Sequence, residues 1–335
     1  MPTADYGRDE SDKRLKALEK EIYALYKEAA DGLGKTIKEY FDSFRKRDAE
    51  MLARLTAGEI TEEYYKQWRL NQIARGKRFE TLRDKIAERM TNANEVAAAY
   101  INDRTPGIYS LSANYAAYTI EQLYGQTDFT LWNEQAVRRL AVESPEVMPY
   151  YPPERAIERG IDLAWGQKQI KAVVTSSILR GQSLKGMVSD LMERIPTMER
   201  ASAIRAARTA FTSAENGGRQ AAFDRAAEMG IQARKRWVAT KDRRTRRDHA
   251  NADGQTVPID QPFDIGGYAM MYPGDPDGPG KEVYSCRCAM RTVEGDDIEA
   301  EPRQMRVRDP KTGRNVLVNE MTYAEWERWV ESRGA

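Results

Sequence analysis

Proline is spread so unevenly along this chain that it outlines the fold before any other residue is read. Up to Val142 there are only Pro2 and Pro106, whereas Ser144 to Pro153 holds Pro145, Pro149, Pro152 and Pro153. Glu154 to Val257 contains only Pro196, and Pro258 to Pro310 then contains seven. Proline lacks a backbone donor and restricts the residue before it, so long stretches without it favour helix and dense clusters favour linkers and loops. The chain therefore divides into a helical region over 1–142, a proline-rich linker over 143–153, helices leading into a small domain with short strands over 154–293, and a tail over 294–335. The expected class is α+β, mostly α.

The apolar spacing supports this division. Leu15, Leu18, Ile22 and Leu25 step by 3, 4 and 3, and Ile37, Phe41, Phe44, Met51 and Leu55 continue the stripe with one polar gap at Asp48. Gly32 and Gly34 are expected to separate two helices. After a turn at Ala57-Gly58, Thr61 is placed to cap a third helix carrying Tyr65, Trp68, Phe79, Leu82, Ile86 and Met90. These segments predict an antiparallel bundle, with an extended coiled coil as the alternative. Farther on, Ile170, Val173, Val174 and Ile178 form a stripe, Gly181 breaks it and Ser183 caps the next helix. Pro196 is expected to end that helix, and another runs from about Thr197 to a stop at Gly230.

Charge narrows the classes of function. Lys and Arg number 53 against 52 Asp and Glu, a net charge of +1, which argues against a nucleic-acid coat yet permits local patches. One such patch is Arg234, Lys235, Arg236, Lys241, Arg243, Arg244, Arg246 and Arg247, with Asp242 the single acid inside it. It could meet phosphates or an acidic partner, or be a solvated face, and the acidic run Glu294, Asp296, Asp297, Glu299 and Glu301 could compensate it. The longest charge-free run, Thr105 to Ile120, is too short and too polar to span a membrane. Met1 to Asp12 has no apolar core of a signal peptide, so synthesis and retention in the cytosol are expected, at least initially.

Two cysteines exclude a disulfide framework, and the single histidine, His249, must serve any chemistry that needs imidazole. Val283 to Val293 alternates like a strand, which would set Tyr284, Cys286, Cys288 and Met290 on one face, the two thiols roughly 6–7 Å apart at Cα. Such a pair suits one zinc ion, with His249 as third ligand and Asp248, Asp242 or Asp253 as a fourth. Buried structural thiols are the plainer reading, since free cysteine packs as a small hydrophobe, and a Cys–His nucleophile pair is a third. No orienting group or oxyanion loop is evident, and neither a phosphate loop nor a dinucleotide fingerprint occurs, so no catalytic residue is assigned. In the tail, Asp309 to Gly313 reads as a turn between two strands. Thr322 to Glu325 reads as a capping box for a last helix whose Trp326, Trp329 and Val330 dock on the chain itself or on a partner.

Taken in order, Arg208-Thr209, Trp237 to Asp242, Arg243 to His249, Asp253-Gly254, Pro273-Gly274-Asp275 and Ser285-Cys286-Arg287-Cys288 resemble the head morphogenesis domain of the phage Mu protein F-like family, over about Ile178 to Val293. Trp237, Asp242, Arg246, His249, Gly254, Cys286, Arg287 and Cys288, with Arg208 and Thr209, carry the likeness. Ser285 departs from it, standing where the family usually has Asn. The resemblance implies a bacteriophage minor capsid protein in few copies, associated with the portal vertex inside the head and acting in procapsid assembly, DNA packaging or DNA ejection. The implied partners are the portal protein, the major capsid or scaffolding protein and packaged double-stranded DNA, with no membrane. It places the protein in the virion, after the host cytoplasm during assembly. Two other readings stay open: a Cys/His-based enzyme or effector carried in the head, and an internal DNA organiser using the basic strip.

Overall fold

The computed structural model of the chain describes residues 5–125, 129–143, 163–293, 305–308, 315–318 and 322–333. Helices come first: α1 Tyr6–Asp42, α2 Arg45–Thr56, α3 Glu62–Ile73, α4 Lys77–Tyr124, α5 Glu134–Glu143, α6 Leu163–Leu179 and α7 Leu184–Glu228. Short elements follow: β1 Arg234–Val238, α8 Arg247–Asn251, β2 Thr256–Pro258, β3 Phe263–Ile265, β4 Tyr268–Met270, α9 Gly280–Val283, β5 Ala289–Val293, β6 Met305–Arg308, β7 Asn315–Val318 and α10 Tyr323–Arg333. The class is α+β and mostly α. Among the described residues no helix is long and apolar enough to cross a membrane.

Two compact units are present, each built from separated stretches. One comprises Met1–Ala17, Ile101–Tyr151 and Arg205–Ala335; the other comprises Leu18–Tyr100 and Pro152–Ile204. This grouping cuts across the sequential division into 1–142, 154–293 and 294–335. Helices α1, α4 and α7 are 37, 48 and 45 residues long. At about 1.5 Å per residue each is longer than the roughly 30 Å of a small domain, so one helix serves two cores. The expected linker, apart from its first residue, lies outside the described residues.

Among the described residues the second unit is all helical. Leu18, Ile22, Ile37, Phe41, Phe79, Leu82, Ile86, Ile170, Val174, Ile178, Met187 and Leu191 are each at most 3% exposed and form its interior. The polar gap at Asp48 has a cause: its carboxylate sits 3.1 Å from Arg69 Nε and accepts a 2.9 Å hydrogen bond from the Tyr65 hydroxyl. Arg69, 1% exposed, also donates to Gln182 O at 2.6 Å. Thr61 caps α3 through Tyr64 N as expected, Gly58 and Gly181 adopt φ of 75° and 72°, and Ser183 Oγ accepts from Gly186 N.

Three expectations fail here, the first two because packing overrides local propensity and the third because a left-handed glycine ends the helix. α1 runs unbroken through Gly32 and Gly34, α7 continues past Pro196, and the stripe expected on one helix from Tyr65 to Met90 is divided at Gly76, φ 85°. A glycine costs about 1 kcal/mol in a helix and a proline about 3 kcal/mol, and burial of neighbouring turns outweighs both. Gly34 also makes room, since a Cβ there would lie 2.9 Å from Met192 Cε. Around Pro196, Ile195 and Glu199 are 3% and 4% exposed.

Glu199 is a buried acid with a pH signature. It accepts from Asn94 Nδ2 at 3.1 Å, and Asn94 Oδ1 accepts in turn from the Tyr26 hydroxyl. Burial pushes its carboxyl from 4.5 up to about 7, against the pull of that hydrogen bond. The folded chain then holds a proton the unfolded chain has lost, so stability falls as pH rises through this interval. Glu199→Gln is expected to raise stability by about 2 kcal/mol at about pH 8 and to give no gain at about pH 4, as read by urea unfolding. An equal effect at both values would show that the carboxyl is not held protonated.

The first unit carries the strands. β1 lies between β2 and β5, antiparallel to both, with Trp237 opposite Met290 and Arg236 opposite Thr256. β3 and β4 form a hairpin across Gly266-Gly267, whose φ of 59° and 86° suit the two left-handed positions of a tight turn. β6 and β7 pair as expected, and the turn between them lies outside the described residues. Trp237, Phe223, Phe263, Met290 and Trp326 share one core with Cys286 and Cys288. The charge-free run Thr105 to Ile120 falls inside α4, and its first six residues are all buried, Pro106 among them.

Candidate functional site

Cys286 and Cys288 do not lie on a strand. Residues 280–283 form the turn α9, Ser285 takes a left-handed φ of 57°, and β5 begins only at Ala289. The expected alternation breaks at Ser285: Tyr284 is 43% exposed, whereas Cys286, Cys288 and Met290 are 2%, 5% and 0% exposed. Both thiols nevertheless face the core, from a loop in place of a strand.

That loop is held by one side of α7. Thr209 Oγ1 accepts from Ser285 N at 2.9 Å, Thr212 Oγ1 donates to Cys286 O at 2.8 Å, and Asn216 Nδ2 donates to Cys288 O at 3.3 Å. Asn216 Oδ1 accepts from Met290 N at 3.0 Å, and Arg219 donates to Met290 O at 2.9 Å. Positions 209, 212, 216 and 219 step by 3, 4 and 3, so a helix presents them as one polar stripe to the loop before β5 and to the edge of β5 that does not face β1. Of the four, only Thr209 was singled out from the sequence. Polar residues at helical spacing among Ala206, Ala207, Ala210, Phe211 and Ala214 were the available signal.

His249 reaches the thiols from α8. Its Nδ1 lies 3.3 Å from Cys288 Sγ and 3.6 Å from Cys286 Sγ, and its Nε2 lies 3.0 Å from Glu282 Oε2. His249 and Glu282 are both 2% exposed. A carboxylate accepts only, so Nε2 carries the hydrogen and the Nδ1 lone pair faces the sulfurs. Glu282 was not foreseen, because its role depends on the α9 turn. A hydrogen bond from the Cys286 thiol draws Cys288 down to about 5. Cys286, the donor of that bond and buried, is pushed up.

The other motif residues surround this centre. Trp237 packs edge-on against His249 with centroids 5.5 Å apart. Arg287 forms a two-pronged pair with Asp242, one arm at 2.8 Å, and Thr240 Oγ1 donates to Arg287 O at 2.6 Å. The Arg287 guanidinium holds the Asp242 carboxyl well below the usual range. Arg246 donates to the carbonyls of Glu282 and Tyr284. Gly254, φ 82°, closes onto β1 by donating to Trp237 O at 2.9 Å. Arg208 is half-buried on α7.

Two expected placements are corrected. Asp248 is not with the thiols: it lies against Gly266 in a shallow cavity also lined by Asn251, Gln255 and Asp264. Successive residues of a helical turn point about 100° apart, so His249 and Asp248 cannot face one centre. Lys235 is fully buried, donating to Gln220 Oε1 at 2.8 Å and Met271 O at 2.9 Å, and burial pulls its amine down to about 8. It cannot touch a phosphate, because the strand period turns it inward. Arg234 and Arg236 bond Thr256, and Lys241 pairs with Asp253 at 2.8 Å. Arg243, Arg244 and Arg247 remain exposed.

Comparison with known proteins agrees with this geometry. The model of the family described as phage Mu protein F like protein matches residues 168–291, which hold the whole α7 stripe and the His249, Cys286 and Cys288 centre. The minor head protein GP7 of Bacillus phage SPP1 is 25% identical over 279 residues, 81% of this chain and 85% of that protein. The NAD(+)–arginine ADP-ribosyltransferase EFV of Enterococcus faecalis is 27% identical over 218 residues, 62% of this chain, and this chain spans only 44% of its length. No solved structure matches the chain. The motif residues thus gather around one buried centre inside the segment that is similar to the phage Mu protein F like family, and the chain resembles a phage minor head protein over most of its length.

Proposed function

We propose that this chain is a minor head component located at the portal vertex, where it acts in procapsid assembly and in DNA packaging or ejection. Likeness to a minor head protein over 85% of that protein's length carries the reading. A structural role is favoured over an enzymatic one. The match to the Enterococcus enzyme spans 44% of that protein, which fits a shared head module better than a shared activity. The exposed Arg243, Arg244 and Arg247 would meet packaged DNA or an acidic surface of the major capsid or scaffolding protein.

Portal contact is best assigned to the all-helical unit, which exposes Leu52 (49%) on α2 and Tyr64 (57%) on α3. Neither residue supports the interior, so changing them tests docking without disturbing the fold. Full-length chain is expected to co-sediment with portal rings of its phage, and Leu52→Glu with Tyr64→Glu is expected to weaken this by about tenfold or more. Absence of co-sedimentation by the unaltered chain would remove the portal assignment. Unchanged binding by the folded double variant would place the contact elsewhere.

A further inference from the structure

We propose that His249 Nδ1 and the thiolates of Cys286 and Cys288 bind one zinc ion, which fastens α8 to the loop before β5. Among the described residues these three form the one group of potential metal ligands, their donor atoms all within 4.8 Å of one another and all buried. The spacing fits an ion. Zinc bonds of about 2.0 Å to nitrogen and 2.3 Å to sulfur at a tetrahedral angle separate N from S by about 3.5 Å. The observed separations are 3.3 and 3.6 Å.

The surroundings are those of a metal centre as well. Glu282 holds the far ring nitrogen of His249, which fixes the imidazole and directs Nδ1 at the sulfurs. Thr212 and Asn216 hold the carbonyls of Cys286 and Cys288, so both thiols are placed before any ion arrives. Charge closes too: a zinc dication and two thiolates are neutral, and each thiol gives up its proton on binding. Three protein donors leave one position of a tetrahedral ion to a ligand from outside this set. Exposures of 2% and 5% leave no surface on which either sulfur could meet a substrate, which disfavours the nucleophile alternative.

The test uses the full-length chain purified under reducing conditions without added metal. Elemental analysis is expected to find about one zinc per chain, and chelation is expected to lower the melting temperature, reversibly on adding zinc. Replacement by cobalt should give the thiolate charge-transfer absorption and the strong visible bands of a tetrahedral site. Glu282→Gln, which leaves all three donors in place, is expected to weaken zinc affinity by about 10–100-fold. Cys286→Ser and Cys288→Ser should each abolish stoichiometric binding. If these variants do not fold, the cobalt spectrum and chelator response of the unaltered chain still decide. A folded, metal-free chain that takes up neither zinc nor cobalt, or one with a Cys286–Cys288 disulfide, overturns the proposal.

Discussion

Arg219→Met is expected to destabilise the chain by about 3–5 kcal/mol, the cost of removing one member of a buried ion pair and leaving the others desolvated. Arg219 is 3% exposed and completes the α7 stripe. Its guanidinium lies 2.9 Å from one Asp5 oxygen and 3.0 Å from the other, 3.4 Å from Glu215 Oε1 and 2.9 Å from Met290 O. Burial raises the Asp5 carboxyl and Arg219 more than offsets this, so Asp5 lies below its usual value; Glu215, more deeply buried, stays above. Methionine matches the length of the stem and removes every donor at once. The main chain of β5 loses a support, and Asp5 and Glu215 lose their nearest cation, keeping only the weaker pull of Arg8. Urea unfolding should show the loss, with a fall in melting temperature of roughly 10 °C. Arg219→Lys keeps the charge and loses the fork, so a smaller loss is expected. A change under about 1 kcal/mol for methionine would place the group among surface-like pairs and contradict its assigned role in holding β5.

This network also shows where reading the sequence stopped. The apolar stripes of α1, α6 and α7 were visible because helix period and burial coincide, and Thr61, Gly58, Gly181, Ser183 and Gly230 marked real ends. Helix continuity at Gly32, Gly34 and Pro196 was not legible. Local propensity argues for a break, and only distant packing supplies the energy to override it. Asp48 looked like a fault in a stripe because its partners, Tyr65 and Arg69, lie on another helix.

The site divides in the same way. His249, Cys286 and Cys288 could be grouped because so few residues of their kind occur in the chain. Their geometry could not be read, since the left-handed Ser285 and the α9 turn replace the strand that alternation predicts. Asp248, adjacent in sequence to His249, was the natural fourth ligand on proximity, and helical rotation removes it. Glu282 has no sequence signal of its own: it matters only because α9 turns it toward His249. The basic block looked uniform in sequence, yet strand period sends Lys235 inward while Arg243 and Arg244 stay on a loop.

Trp326→Ala is expected to cost about 3–5 kcal/mol, the usual range for emptying a buried tryptophan site. Trp326 is 0% exposed in the core that also holds Trp237, Phe263 and the two cysteines. Its ring meets Tyr118 and Tyr323 at centroid distances of 5.7 and 5.9 Å, and its Nε1 donates to Glu121 Oε2 at 2.6 Å. Glu121 is itself fully buried on α4. The helix that carries Trp326 starts at a capping box in which Thr322 N donates to Glu325 Oε2 at 2.8 Å and Thr322 Oγ1 accepts from Glu325 N at 3.4 Å. Of the two docking choices open at the sequence level, the chain's own body is the one occupied. Two substitutions separate packing from polarity. Trp326→Phe retains most apolar area but takes one donor from a buried carboxylate, for about 1–3 kcal/mol. Thr322→Ala removes only the cap, for about 1 kcal/mol. If α10 were a passive tail, all three variants would melt with the unaltered chain. If it is part of the core, the losses should rank alanine at 326 first, phenylalanine next and the cap last.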